Sequence, residues 1–588
     1  MWASGAQTVH LVLDPLTDLT APRDNSHDLL MSRSGGGWWR LNVPDATPGT
    51  DYAYSIDGGR PLPDPRSQWQ PYGIHGPSRT LDHSEFVWTD QAWQPPPLSA
   101  AVLYEIHVGT FTPHGTFESA IQKLDHLVQL GVTHIELMPV AEFPGERGWG
   151  YDGVDLFAPH HAYGGPEGLK RFVDVCHSRD IAVLLDVVYN HLGPDGNYLS
   201  AFGPYFTERY HTPWGQAVNL DGPGSMEVRR FLCDNARSWL RDYHLDGLRL
   251  DAIHAIFDSS AVHFLEQLAN EIYDLETEAG RHFDLIAEND LNDPRVVTSK
   301  EAGGYGLDAQ WNDDFHHALH SVLTGEQIGY YSDFGKLEDL AASLKNVYVY
   351  GGRYSEYRKR IQGRHVCDLP AHRFVGFLQN HDQVGNRARG DRASQLLSIR
   401  MLKIGATLVL CAPFVPLLFQ GEEFGADTPF LYFTDHRDPA LAAAVSKGRR
   451  EEFASFGWNP EEIPDPQDRC SFESSKLEWG QIEQHPHDDI LHWYRCMIVL
   501  RRSHPALQDG SLDRLDVDYS ESDSWLTLYR QSIAVVCNLS GERLSLSLRF
   551  AGEPVLASDP NFKMQGNVVE MPAETVLIIE QTAKRAVS

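Results

Sequence analysis

Four short apolar runs of the 588-residue chain end in groups that can carry charge or move a proton. Asp186 follows IAVLL, Arg249 and Asp251 close GLRLD, Glu288 follows FDLIA, and His381–Asp382 follows FVGFLQN. An apolar run bounded by turn residues reads as a buried strand, so these polar groups sit where strands stop. Two carboxylates flanking one bond, one ionised and one protonated, supply the nucleophile and the acid for retaining glycosidic cleavage, at roughly 5 Å separation. An arginine two residues from one acid favours its charged form and offsets the cost of burying it. A lone aspartate after a strand is more often a turn or cap residue. Four such ends, one with an arginine, point instead to a shared site.

The elements that must position these groups alternate. From VLYEIHV onward, the strands HIELMPV, IAVLLDVV, GLRLD, FDLIAE, DAQWND, RFVGFLQN and FVPLLF follow, with helical patterns between most of them. Phe117, Ile121, Leu124 and Val128 recur at helical spacing until Gly131; Pro166 opens a helix with Leu169, Phe172, Val173 and Cys176 inward. Ser225 reads as the cap of a helix burying Val228, Phe231, Leu232 and Trp239. Repeated strand–helix units predict an α/β chain with a (β/α)8 TIM barrel over 96–505, whose active groups gather at the carboxyl ends of the strands. Side chains alternate across a strand, so Arg249 and Asp251 face the barrel axis while Leu248 and Leu250 face the helices. The connection 188–224, rich in Gly, Pro, Tyr and Asn, reads as an extended loop at the barrel mouth. Residues 1–95, with VHLVLD and WWRLNV, read as an N-terminal β-sandwich ending in the linker QAWQPPPL. Residues 506–588, with WLTLYR, SIAVVCNL, RLSLSLRF and ETVLIIE, read as a C-terminal β-sandwich.

Composition narrows the partners. A formal charge of −32 repels phosphates and excludes nucleic acid, while suiting a neutral ligand. The 14 Trp and 23 Tyr are compatible with stacking on sugar rings. Seven cysteines without a CxxC pair predict reduced thiols and a cytoplasmic protein. No basic segment precedes an apolar run near the start, where the first basic residue is Arg23, so no signal peptide is expected. The most apolar stretch, 405–419, is broken by Pro413 and Pro416, so no membrane span is expected either.

DVVYNH (186–191), DGLRLDAIH (246–254), IAEND (286–290) and QNHDQ (379–383) together resemble the four ordered motifs of the α-amylase clan of glycoside hydrolases, family 13. The resemblance covers about 100–505. It implies Asp251 as nucleophile, Glu288 as acid/base and Asp382 as the group that binds the distorted sugar. Asp186, His191, Arg249 and His381 match substrate-holding positions, and Tyr151 in GWGYDGV matches a stacking aromatic. For that chemistry Glu288 must arrive protonated, which burial or neighbouring anions favour. Neither cofactor nor metal is expected; Asn190 matches a calcium-ligand position of many α-amylases, but companion carboxylate ligands are not identifiable. The flanking sandwiches suit multidomain members of the clan, the leading one being of an immunoglobulin-like, carbohydrate-binding type.

Segments outside the catalytic motifs resemble one subgroup, the trehalohydrolases that act on maltooligosyltrehalose. They are 62–79, 196–223, 250–265, AENDLNDPR (287–295) and DAQWNDDFHHALH (308–320). That resemblance implies hydrolysis of the α-1,4 bond next to a terminal trehalose unit, and a pathway partner, a synthase making maltooligosyltrehalose, with no complex implied. Trp214, Trp311, Asp313 and Asp314 are candidates for lining the pocket. A 1,4-α-glucan branching enzyme shares the same triad and is the nearest alternative; another α-glucan hydrolase and a noncatalytic glucan-binding protein follow.

Overall fold

The computed structural model describes residues 1–19, 28–455 and 463–582. Eight parallel strands close into a barrel: β1 (Leu103–Ile106), β2 (His134–Leu137), β3 (Ala182–Val187), β4 (Gly247–Leu250), β5 (Asp284–Ala287), β6 (Ala309–Trp311), β7 (Phe374–Phe377) and β8 (Val415–Phe419). Each strand pairs with its neighbours in sequence, and β8 closes on β1 with Leu417 opposite Leu103. Every residue of these strands is buried. Leu103, Leu184, Ile286, Trp311, Val375 and Leu417 fill the axis as one cluster, while Leu248 and Leu250 pack outward into the main core shared with the helices. The alternation read from GLRLD therefore holds. Gly247 at the start of β4 has no room for a side chain, because a Cβ there would lie 2.3 Å from the Asp284 carbonyl oxygen.

Two sequence expectations change locally. The helix Ser225–Asp242 is entered through Gly224 at φ 82°, and Ser225 makes no capping bond but is already the first helical residue. Gly224 adopts the left-handed entry that a serine would resist. The connection 188–224 is not an irregular loop throughout: it holds the short helix Leu199–Phe202 and an antiparallel hairpin, Phe206–Thr212 with Gly215–Val218, whose turn carries Trp214.

The N-terminal region builds a five-stranded sheet around Val9–Leu13 and Asp51–Ile56, with a separate two-stranded pair. At the other end, a five-stranded and a three-stranded antiparallel sheet face each other across Tyr529, Val536, Leu546, Val569, Met571 and Ile579. The far side of the larger sheet joins the main core through Leu528, Val535 and Ile578.

The proline-rich segment 91–98 is pinned to the barrel. Trp93 stacks on His177 with ring centroids 4.6 Å apart and donates from Nε1 to Asp246 Oδ1 at 2.8 Å. His177 itself bridges two buried carboxylates, Asp90 at 2.8 Å and Asp246 at 2.9 Å. Burial opposes a charge on His177, but the two carboxylates outweigh it and raise its pKa; the imidazole in turn helps hold Asp90 and Asp246 low against burial. A raised histidine stabilises fully below its ordinary value of 6.5 and less as pH climbs through its folded value. The lowered aspartates stabilise above 3.8 and lose that contribution as pH falls through their folded values. His177→Gln is expected to cost about 3–5 kcal/mol, since it strands two buried carboxylates. Thermal melts should show wild-type Tm declining above about pH 6.5 through this group, a decline the variant lacks; parallel pH curves would refute the clamp.

Candidate active site

Arg249, with no exposed side-chain surface, gathers the acids of three strands. Its Nη1 donates to Asp186 Oδ2 at 2.6 Å and Asp251 Oδ1 at 2.9 Å; its Nη2 donates to Glu288 Oε2 at 2.8 Å. The register makes this unavoidable: Asp186 on β3 lies opposite Arg249 on β4, and the two acids that follow β4 and β5 emerge beside it. Below, the guanidinium rests 4.2 Å from the centroid of the Trp311 ring.

Each acid is then fixed separately. Asn190 Nδ2 donates to Asp251 Oδ2 at 2.7 Å and to the Asp251 carbonyl at 2.8 Å, so both carboxylate oxygens of Asp251 are engaged. The Asn190 amide is thus committed to Asp251. Glu288 Oε2 also accepts from the Ala252 backbone N–H at 2.9 Å. Ala252 makes that bond from the left-handed region, at φ 39°, a conformation costing a non-glycine residue about 1–3 kcal/mol. With two donors on Oε2, a proton on Glu288 must ride on Oε1.

A second chain of bonds runs behind. The Tyr151 hydroxyl donates to Asp186 Oδ2 at 2.6 Å and faces His381 Nε2 at 2.7 Å. Having given its proton to Asp186, it accepts one from His381. On the other side of the ring, Glu105 takes the His381 backbone N–H at 2.9 Å and bonds Nδ1 directly. Both ring nitrogens therefore donate, and His381 is an imidazolium. Burial opposes this, but Glu105 and Asp382 prevail and push its pKa up to about 9. Burial lifts Asp186 to about 7 despite Arg249, and lifts Asp382 despite His381. Asp382 stands half-exposed at the barrel mouth, its Oδ1 3.4 Å from His381 Nε2.

These groups open on a cleft of about 700 Å³ whose walls include Trp149, Tyr151, Trp214, Asp251, Glu288 and Asp382. Tyr151, His191, Asp251, Glu288 and Asp382 line it, and Asp186, Arg249 and His381 are bonded to those lining groups. His191 is buried, which lowers its pKa to about 4, and stacks on Trp214 at 4.4 Å. The four pocket-lining candidates divide. Trp214 is 50% exposed and lines the cleft. Asp313 is half-buried beside Glu288 and Asp382, where burial and those anions raise its pKa well above the ordinary range. Trp311 is no lining residue but the floor beneath Arg249, and Asp314 is buried, accepting the backbone N–H groups of Val349 and Tyr350 at 2.8 and 2.7 Å. Sequence reasoning missed Glu105, although a carboxylate inside the apolar run VLYEIHV was a visible signal. It also missed Trp149, Tyr432 and Arg449, which come from loops and a helix beyond the strands and carried no comparable signal.

Glu105→Gln removes the anion that keeps His381 charged. The alkaline limb of the kcat/KM profile should then move down from about pH 9 toward 6.5. A limb that stays in place would show that His381 does not set it.

Comparison with known proteins supplies the lineage. Residues 83–210 match the family model "Alpha amylase, catalytic domain", and residues 1–73 match "Carbohydrate-binding module 48 (Isoamylase N-terminal domain)". The malto-oligosyltrehalose trehalohydrolase of Arthrobacter ramosus is 50% identical over 88% of this chain and 89% of its own. That of Mycobacterium tuberculosis strain H37Rv is 46% identical over 93% and 95%. A crystal structure of a putative α-amylase from Salmonella typhimurium superposes with a TM-score of 0.89 at 38% identity, covering 99% of this chain and 97% of that one. With that identity sustained over nearly the whole of both chains, and an acid-lined barrel mouth in place, the chain belongs to the malto-oligosyltrehalose trehalohydrolase family of α-amylase-type glycoside hydrolases.

Proposed function

We propose that the protein hydrolyses the α-1,4 bond next to the terminal trehalose unit of maltooligosyltrehalose, with retention, releasing trehalose and a shortened maltooligosaccharide. The observation carrying this reading is the single buried guanidinium that holds Asp186, Asp251 and Glu288 together under one open cleft. The names of the family's members supply the substrate.

Asp251 attacks the anomeric carbon while Glu288 Oε1 gives its proton to the departing glycosidic oxygen. The glycosyl–Asp251 ester is then opened by water, whose proton returns to Glu288. Asp382, across the cleft, supports the positive charge that develops on the sugar ring. Asp186, His191, Arg249 and His381 hold the reacting sugar and its acids in place, and Tyr151 offers its ring as a stacking surface. The residues assigned to this route form no metal-ligating cluster among the described residues.

The substrate reaches this enzyme from a synthase that builds maltooligosyltrehalose, with no complex between the two required. Free thiols at all seven cysteines support a cytoplasmic setting, and no described helix is long and apolar enough to cross a membrane. We place the domain limits at 1–95, 96–505 and 506–588, a division supported by the change from sheet to barrel to sheet among the described residues.

Incubation with maltotriosyltrehalose should release free trehalose, with little cleavage of maltopentaose. Loss of iodine staining of amylose through new branch points would instead assign the protein as a 1,4-α-glucan branching enzyme. Glu288→Gln should lower kcat by about 10²–10⁴-fold, with partial recovery on substrates carrying activated leaving groups. Undiminished turnover would remove Glu288 from the acid/base role.

A further inference from the structure

At the far end of the barrel, where β5 and β6 begin, His282 sits among three carboxylates. Its Nδ1 lies 2.5 Å from Glu276 Oε1, and its Nε2 lies 3.4 Å from Asp284 Oδ1 and 3.5 Å from Asp308 Oδ1. The group borders a cleft of about 380 Å³ lined also by Tyr273, Lys300, Glu301 and Arg373.

The distances separate two kinds of contact. A charge-assisted N–H···O bond closes to about 2.7–2.9 Å. Nδ1 meets Glu276 at 2.5 Å, closer than that range, whereas Nε2 lies beyond it from both aspartates. Asp284 is 4% exposed, and its Oδ1 meets that nitrogen only at 3.4 Å. Zinc bonds of about 2.0–2.1 Å in a tetrahedron place ligand atoms roughly 3.3–3.4 Å apart, the spacing found here.

The surroundings fit as well. Glu276 Oε1 is held by the Phe283 backbone N–H at 2.9 Å, and by bonding Nδ1 it turns the bare Nε2 toward the aspartates. A carboxylate behind a metal-binding histidine is the usual supporting arrangement. Asp308 Oδ2 is taken by the Leu285 N–H at 2.9 Å, leaving Oδ1 for the cluster, where Arg373 Nη1 approaches to 3.5 Å. A dication on a neutral imidazole, with Arg373 alongside, balances the three carboxylates; a protonated imidazole leaves a negative charge over. Calcium and magnesium prefer all-oxygen shells, so the imidazole points to zinc. In the other such cluster, Glu142–His160–His161, His161 already engages both carboxylate oxygens of Glu142, through Nδ1 at 2.6 Å and its backbone N–H at 2.9 Å.

We infer that His282 Nε2, Asp284 and Asp308 form a three-ligand site for a zinc-class divalent cation, its fourth position open to the cleft, that ties together the starts of β5 and β6.

The test is zinc titration of the chelator-treated full chain by calorimetry, alongside thermal melts. Expected are one equivalent bound, a raised Tm, and unchanged kcat. His282→Gln and Asp308→Asn should each lose that equivalent while keeping kcat, which reports that they fold. Glu276→Gln should bind about 10–100-fold more weakly. No zinc bound by the full chain, or an equivalent kept by His282→Gln, would overturn the site.

Discussion

Everything at the barrel mouth depends on one buried guanidinium. A carboxylate moved from water into a protein interior loses several kcal/mol of solvation even after the surroundings relax. Asp186, Asp251 and Glu288 all converge on the same dry end of the barrel, and alone they would repel one another. Arg249 makes the cluster stable by reaching all three with directed bonds. Lysine could not replace it, because a point charge on a flexible stem has no fork with which to hold acids from three strands in fixed directions. One positive charge does not neutralise three negative ones. Burial lifts Asp186 to about 7 despite the guanidinium.

The second cation of the site, His381, is kept charged by Glu105, an acid that never reaches the cleft. The two are linked to Arg249 through Tyr151 and Asp186, so one continuous line of hydrogen bonds crosses the mouth from β1 to β4. Rigidity follows, because rotating any member leaves a buried donor or acceptor unmet. Glu136, the register neighbour of Glu105, has neither oxygen hydrogen-bonded among the described residues, and burial together with Glu105 raises it well above the usual carboxylate range. Both effects oppose a charge on it.

Much of this was legible in the chain. The strand positions and the two faces of GLRLD follow from apolar runs and their alternation, because a barrel strand is buried on both sides and its polar exceptions stand out. The same contrast should have singled out Glu105 and Glu136, which interrupt apolar runs just as Arg249 does. What could not be read lies off the strands. Trp311 and Asp314 belong to the same short segment as Asp313, yet one packs under Arg249, one anchors a distant loop, and one faces the acids. Their spacing in sequence carries no hint of this, since β6 turns into a helix within two residues and each side chain leaves in a different direction.

The cleft walls show the same limit from the other side. Trp214 arrives on a hairpin whose strands read FTERYHT and GQAV, polar and largely exposed, with none of the alternation that marks a half-buried strand. That hairpin survives because it is two-stranded and covers the mouth rather than building core; its turn lays the Trp214 indole on His191 at 4.4 Å, where His191 is held neutral by burial. A neutral imidazole under an exposed indole makes a flat, uncharged wall opposite the cationic His381 side. A sugar entering the cleft thus meets charge where the bond must break and a plane where its ring must lie. The strands supply the first by their ends, and a loop insertion supplies the second. Chemistry and substrate shape are therefore set by different parts of the chain, and only the part built on regular strands announces itself in the sequence.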